Sequence, residues 1–303
     1  MPSPNQNLLV IGYGSLLSGY GLLAVRRGGG SKLVAIDAEP AIVLNARRGL
    51  AKPSSHGNYL AMDLEPIDAD SPITARAGLA ESDGPGFGAV LLTFDRSQAP
   101  LISRREEYSP EAFMRLLDHA DRAALPLGSF LLNIARDTGF NLLEYRRALR
   151  DLLGYTSPGY VFHPLPLEDG RVAIVAIGSG YEGSGDPAVT SARRKYGIDR
   201  LHDFGSALEI TSLALDRPGQ IGYFAECLLG AMHGLAMEDL MAGFEPDAPW
   251  AGDLARRVAD VMRHEESHFL DATSMATENY RRRFGTRGRH PSLDALLRLA
   301  PVE

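Results

Sequence analysis

The stretch VIGYGSLLSGYG, residues 10–21, directly follows an apolar run and is rich in glycine. A turn of this kind after a strand lets bare backbone N–H groups approach a ligand closely. The dinucleotide pattern G-x-G-x-x-G requires a glycine at Leu17, and the triphosphate pattern G-x-x-x-x-G-K requires a lysine at Tyr20. We therefore expect either a tight turn whose glycines only satisfy backbone geometry, or a binding loop for a smaller ligand.

The composition is that of a globular protein with one large domain or two small ones. The chain has 303 residues, of which 45% are hydrophobic and 23% charged, and its net charge is −7. This acidic balance argues against a nucleic acid as partner. The only cysteine, Cys227, lies in an apolar helical run, which predicts a buried thiol. Without a signal-peptide pattern or a run of eighteen apolar residues, we expect a cytoplasmic protein that does not bind a membrane.

The first third of the chain is predicted to form a curled sheet. Apolar or β-rich runs alternate with segments rich in Gly, Pro and Ser, and no long helical spacing lies between them. This pattern favours a mixed or antiparallel sheet that closes as a small β-barrel. The predicted strands are 7–12, 33–44, 58–64, 76–80 and 86–94.

Helices are predicted from Ser109 onwards, so the expected fold class is α+β. Ser109 before a proline, and Asn141 three residues before Glu144, are patterns typical of helix N-termini. Strands are predicted again in GYVFHP (159–164) and GRVAIVAIGSG (170–180). Further helices are predicted over about 219–234, 237–243 and 250–284, with a short one after Pro291.

Two motifs together resemble a known family. YGSLL (13–17) follows the first strand, and GFGAVLLTFDRSQAPLISRREEY (86–108) places Arg-Glu after a late strand. This order is similar to that of the gamma-glutamylcyclotransferase-like family, and RPGQIGYFAECLLGAMHGLAMEDLM (217–241) looks like a helix of its glutathione-acting branch. The resemblance implies a family domain over 1–247 with a helical insertion at about 109–155, followed by a helical extension over 248–303.

The resemblance also implies a reaction. The α-amine of a γ-glutamyl compound attacks its own γ-carbonyl and releases 5-oxoproline and a free amine or amino acid, without cofactor or metal. The family glutamate corresponds to Glu106, which would carry the proton as general base and acid. Glu107 is a rival, because a one-residue gap in the motif can be placed on either side of it. Tyr108 follows Glu106 by two residues, where the family usually has three or more.

A substrate site is expected around the opening loop. Backbone N–H groups there would bind a carboxylate or carbonyl oxygen of the substrate. Tyrosines near the glutamate and near the loop IGSGYEGSGDP (177–187) are candidates for further contacts. The candidate substrate-binding residues are Tyr13, Gly14, Ser15, Leu16, Tyr108, Tyr160 and Tyr181.

A competing motif is HEESH, which spans His264 to His268. In a helix this spacing places both histidines one turn apart, as in zinc hydrolases, with Glu265 as the base. A third ligand at the usual spacing is missing from the sequence, so an ordinary pair of histidines on the helix surface is the simpler interpretation. The sequence thus allows a cyclotransferase, a zinc hydrolase, or a small-acid-binding module without catalysis. It names neither the group on the leaving amine nor the oligomeric state.

Overall fold

The computed structural model describes residues 7–14, 35–53, 59–67, 72–78, 86–106, 108–154, 160–178, 207–231, 239–271 and 291–300. The strands of these segments are β1 (Asn7–Gly12), β2 (Ala35–Leu44), β3 (Ala46–Pro53), β4 (Leu60–Pro66), β5 (Thr74–Ala77), β6 (Gly86–Asp95), β7 (Val161–Pro166) and β8 (Val172–Ile177). Their helices are α1 (Ala99–Arg105), α2 (Pro110–Arg122), α3 (Leu127–Asp137), α4 (Leu142–Leu153), α5 (Ala207–Leu213), α6 (Pro218–Ala231), α7 (Ala251–Asp271) and α8 (Pro291–Arg298).

Six strands form one curled, mixed sheet in the order β5-β2-β6-β1-β8-β7. β1 pairs antiparallel with β6 and parallel with β8. The two edges of the sheet approach each other, since the Glu168 N–H donates to the Ala75 carbonyl at 3.1 Å and Ala75 bridges Leu167. The α+β class and the mixed sheet predicted from the sequence are confirmed.

Helices α1 to α4 cover one side of the sheet, which we call the helical face. Phe113 of α2, Leu131 of α3 and Tyr145 of α4 pack there with Phe94 and Phe162 of the strands. The predicted N-caps of α2 and α4 are confirmed: the Ser109 hydroxyl and the Asn141 side-chain carbonyl each accept a backbone N–H of the first helical turn. Helix α3 lies within the helical insertion expected at about 109–155 but was not predicted as a separate helix, and its N-cap residue, Pro126, makes no side-chain cap.

The opposite side of the sheet, which we call the hairpin face, meets a separate two-stranded ribbon of β3 and β4. Helices α5 to α8 pack with this ribbon in one hydrophobic core. Cys227 of α6 is fully buried there, as predicted. Strand β3 was not predicted, because buried Arg48 and Lys52 interrupt the apolar pattern of a strand.

The prediction of a helix over 237–243 is wrong for residues 239–243, the part that the structure describes. Residues 239–243 form turns, and Gly243 has a φ of 81°. A left-handed residue ends helical geometry, and Pro246 follows shortly after. The next predicted helix, 250–284, is confirmed over the described residues Ala251–Asp271 as α7, in which Leu254 and Val258 are fully buried. Among the described helices, none has both the length and the apolarity that a membrane span requires.

Candidate active site

The candidate site begins where β1 ends. Tyr13 is almost fully buried, and its hydroxyl donates to the Ala176 carbonyl of β8 at 2.5 Å. The Tyr13 carbonyl accepts a hydrogen bond of 3.0 Å from Arg48 of β3. The guanidinium of Arg48 is held by two bonds of 2.5 and 2.8 Å to the Asp239 carboxylate. A bidentate pair between the buried guanidinium and the partly exposed carboxylate fixes the position of Arg48, and through it the exit of the chain from β1.

The position of Gly14 has no room for a side chain. A Cβ on Gly14 would be 2.8 Å from the Tyr223 hydroxyl oxygen and 3.0 Å from Cβ of Met62. The Tyr223 oxygen itself accepts the Met62 N–H at 2.9 Å. The glycine is therefore required by the close approach of β4 and α6 to the loop. Ser15 and Leu16, the other predicted loop residues, lie outside the described residues.

Tyr160 is the residue at which the elements of the site meet. Its hydroxyl donates to the Met62 carbonyl at 2.5 Å, and the Lys52 ammonium lies 4.3 Å from the centre of its ring. The pKa of Tyr160 is raised well above its usual value, first by burial and then by the electrostatic influence of neighbouring groups. Those neighbours are Tyr13, Tyr223, Asp63 and Glu106. We call these four residues and Tyr160 the tyrosine–carboxylate cluster.

Two predicted site residues, Tyr13 and Glu106, thus act electrostatically on a third, Tyr160. Glu106 forms the C-terminal cap of α1, where its N–H donates to the Ile102 carbonyl at 3.0 Å. It is half-buried. Helix α1 follows β6 after one 3-10 turn, and this connection carries the glutamate from the sheet to the cluster.

Other predicted residues have different places. Tyr108 is buried on the helical face, with its ring 6.3 Å from that of Phe113 and 5.3 Å from that of Phe162. Glu107 and Tyr181 lie outside the described residues. The backbone of the HEESH segment is helical within α7, but the side chains of 264–268 are not described. In the part of the chain that is described, no three His, Cys, Asp or Glu side chains form a group that could hold a metal ion.

Asp63 of β4 is a site residue that the sequence analysis missed. Its side chain is fully buried, and its Oδ1 accepts the N–H of Gly178 at 2.7 Å and that of Leu64 at 2.9 Å. Burial raises the pKa of Asp63 to about 6, although these hydrogen bonds and the charges of Arg146 and Lys52 oppose the rise. The available signal was an acid in the middle of an otherwise apolar predicted strand, 58–64.

The arrangement provides groups that can move a proton. Glu106 is a half-buried carboxylate that acts electrostatically on the buried phenol of Tyr160, and Gly14 packs against the Tyr223 hydroxyl without a side chain between them. Comparison with known proteins gives no match: no family model fits this chain, and no curated protein or solved structure is similar to it.

Proposed function

We propose that this chain converts a γ-glutamyl compound into 5-oxoproline and a free amine or amino acid by intramolecular cyclotransfer. The observation that carries the proposal is that Gly14 and Glu106, which are far apart in the sequence, are both linked to Tyr160. Gly14 packs against the Tyr223 hydroxyl, and Tyr223 and Glu106 both act electrostatically on the hydroxyl of Tyr160. This link supports a common site for the two motifs of the family resemblance. The curled sheet with approaching edges also supports the small barrel that the resemblance implies.

The reaction needs a folded substrate and one proton carrier. The α-nitrogen bonds to the γ-carbonyl carbon, and the bond from that carbon to the leaving nitrogen breaks. The attacking nitrogen loses one proton and the leaving nitrogen gains one, so no water and no covalent enzyme intermediate are required. Holding the amine and the carbonyl within reach of each other supplies much of the rate, because the attack is intramolecular.

We assign the proton transfer to Glu106 rather than to Asp63. Glu106 is half-buried, whereas the Asp63 carboxylate is fully buried with two backbone hydrogen bonds. A general base must come within hydrogen-bonding reach of the proton it removes. The backbone N–H groups of the loop that starts at Gly14 would bind the negative charge that develops on the carbonyl oxygen.

The group on the leaving amine is left open between glutathione, other γ-glutamyl peptides and γ-glutamyl amines. The resemblance of 217–241 to the glutathione-acting branch supports glutathione as the first compound to test. The fully buried thiol of Cys227 is compatible with a reducing compartment, and we propose the cytoplasm.

A substrate panel tests the proposal. The purified chain is incubated with glutathione, γ-glutamyl dipeptides and γ-glutamyl amines, and 5-oxoproline is measured by mass spectrometry. We expect 5-oxoproline from at least one class, with an equal amount of the free amine, and no loss of rate with a chelator. Glu111→Gln changes an exposed carboxylate at the start of α2. It serves as the matched control for Glu106→Gln and should retain the wild-type rate. Absence of 5-oxoproline with every class would contradict the proposal.

A further inference from the structure

A buried carboxylate of the tyrosine–carboxylate cluster, that of Asp63, joins three elements. Oδ1 of Asp63, on β4, accepts the N–H of Gly178, the residue at which the chain leaves β8. A Cβ at Gly178 would lie 2.5 Å from Oδ2 of Asp63 and 3.0 Å from Cδ of Lys52. Asp63 and the Lys52 side chain from β3 therefore both pack directly against Gly178, which is why this position has room only for glycine.

Lys52 in turn contacts the residue at the centre of the site. The Lys52 side chain is almost fully buried, and its ammonium lies over the ring of Tyr160. A lysine stem has four rotatable carbons, so a buried ammonium keeps one position only where a countercharge holds it. The Asp63 carboxylate packs against Gly178 together with the Lys52 stem, and its negative charge attracts the Lys52 ammonium.

We propose that Asp63 is a positioning residue for the site: its carboxylate holds the Lys52 ammonium against Tyr160 and fixes the end of β8 at Gly178. Asp63 does not contact the substrate. It acts through Lys52 on Tyr160, on which Glu106 also acts electrostatically. The kinetic consequence rests on the proposed cyclotransfer, whereas the attraction between Asp63 and Lys52 does not depend on it.

Among the described residues, the charged and titratable groups that interact electrostatically with Asp63 come from three elements. They are Lys52 of β3, Arg146 of α4 and Tyr160 before β7. The two cations favour the ionised carboxyl, while burial raises its pKa to about 6. The carboxylate therefore holds Lys52 at pH 8, and protonation removes this attraction at pH 5.

The first test uses no substrate. A double-mutant cycle of Asp63→Asn and Lys52→Met measures their coupling in the unfolding equilibrium constant. The amide introduced by Asp63→Asn keeps an oxygen for both backbone N–H donors, so this variant removes the charge and retains the fold. We expect a coupling of about tenfold at pH 8, which disappears at pH 5. A coupling factor near one at pH 8 would overturn the proposal.

The second test measures kcat and KM against pH. We expect Asp63→Asn to lower kcat roughly tenfold or more at pH 8, because a displaced site loses rate, with little change in KM. The wild-type kcat should decline as the pH falls through about 6, where Asp63 becomes protonated, and the kcat of the variant should not show this decline. The control is Gln220→Leu, which removes the bonds of 2.8 and 3.1 Å from Gln220 to the Leu60 backbone of the same strand without removing a charge. This control should keep the decline.

The outcomes separate the two proposals. Wild-type kcat in an active enzyme carrying Asp63→Asn would overturn the positioning role. If no γ-glutamyl compound is turned over, the proposed function fails, and the cycle alone decides whether Asp63 holds Lys52.

Discussion

On the helical face the sheet meets aromatic and aliphatic side chains, whereas on the hairpin face it meets buried charges. The ring centres of Phe113 and Phe162 are 4.5 Å apart, and the buried Tyr145 hydroxyl donates to the Phe162 carbonyl at 2.6 Å. On the other side, the charged residues that the described part of the chain buries, Arg48, Lys52 and Asp63, all belong to the β3–β4 hairpin.

The two faces therefore have different tasks. Apolar packing is the main source of folding free energy, and it is complete on the helical face without any charge. A buried charge costs free energy unless partners compensate for it, and replacing it by an apolar residue is often neutral or stabilising. Charges on the hairpin face thus indicate a role other than stability, and the tyrosine–carboxylate cluster lies beside them.

The largest expected effect is on the rate. Glu106→Gln should lower kcat by about 10² to 10⁴, the usual contribution of a general base and acid, with little change in the free energy of unfolding. Steady-state kinetics and urea unfolding measure the two quantities. Glu107→Gln is the matched variant and should remain active. If the two variants exchange behaviour, the base is the neighbouring residue; if both are active, the proton transfer has another carrier.

On the helical face, a substitution should lower the free energy of unfolding and leave kcat unchanged. Phe113→Ala removes a fully buried ring and should lower the free energy of unfolding by about 3–5 kcal/mol. Assayed well below its melting temperature, the folded variant should keep the wild-type kcat. A large loss of kcat at unchanged stability would break the division between the two faces.

The pH dependence of stability tests the buried carboxyl. The pKa of Asp63 is about 6 in the folded protein and near 3.8 in its ordinary state. The folded protein therefore binds the proton more tightly, so this contribution is present below pH 4 and is lost as the pH rises through 6. The difference in unfolding free energy between wild type and Asp63→Asn should change by about 3 kcal/mol over that window. A constant difference would show that Asp63 titrates normally.

The smallest effects are expected at two glycines that lie on the same face. Gly14→Ala should cost about 1–3 kcal/mol, because the new Cβ meets Tyr223 and Met62 at 2.8 and 3.0 Å. Gly222→Ala in α6 meets nothing within 4 Å and should stabilise by about 0.5–1 kcal/mol. Thermal unfolding measures both. Equal effects would show that the close approach to Gly14 is absent.

The elements predicted correctly from the sequence carry local signals. β1 and β6 are apolar runs, and α2 and α4 begin at side-chain caps. The missed elements lack such signals: β3 contains buried cations, and α3 begins without a side-chain cap.

The site was predicted only in part. The motif order pointed to Tyr13, Gly14 and Glu106, but the roles of Asp63 and Lys52 depend on contacts made by folding. Lys52 contacts Tyr160, which lies more than a hundred residues along the chain, and Gly178 follows even later. No local pattern in a sequence records such contacts.

The central claim is that the γ-carbonyl is attacked by the substrate's own amine and not by water. The most direct measurement is the mass spectrum of the products formed in H₂¹⁸O from a γ-glutamyl compound. Cyclotransfer retains the carbonyl oxygen, so we expect unlabelled 5-oxoproline and no labelled glutamate. Glutamate carrying ¹⁸O in its γ-carboxylate would show hydrolysis, and would contradict the account.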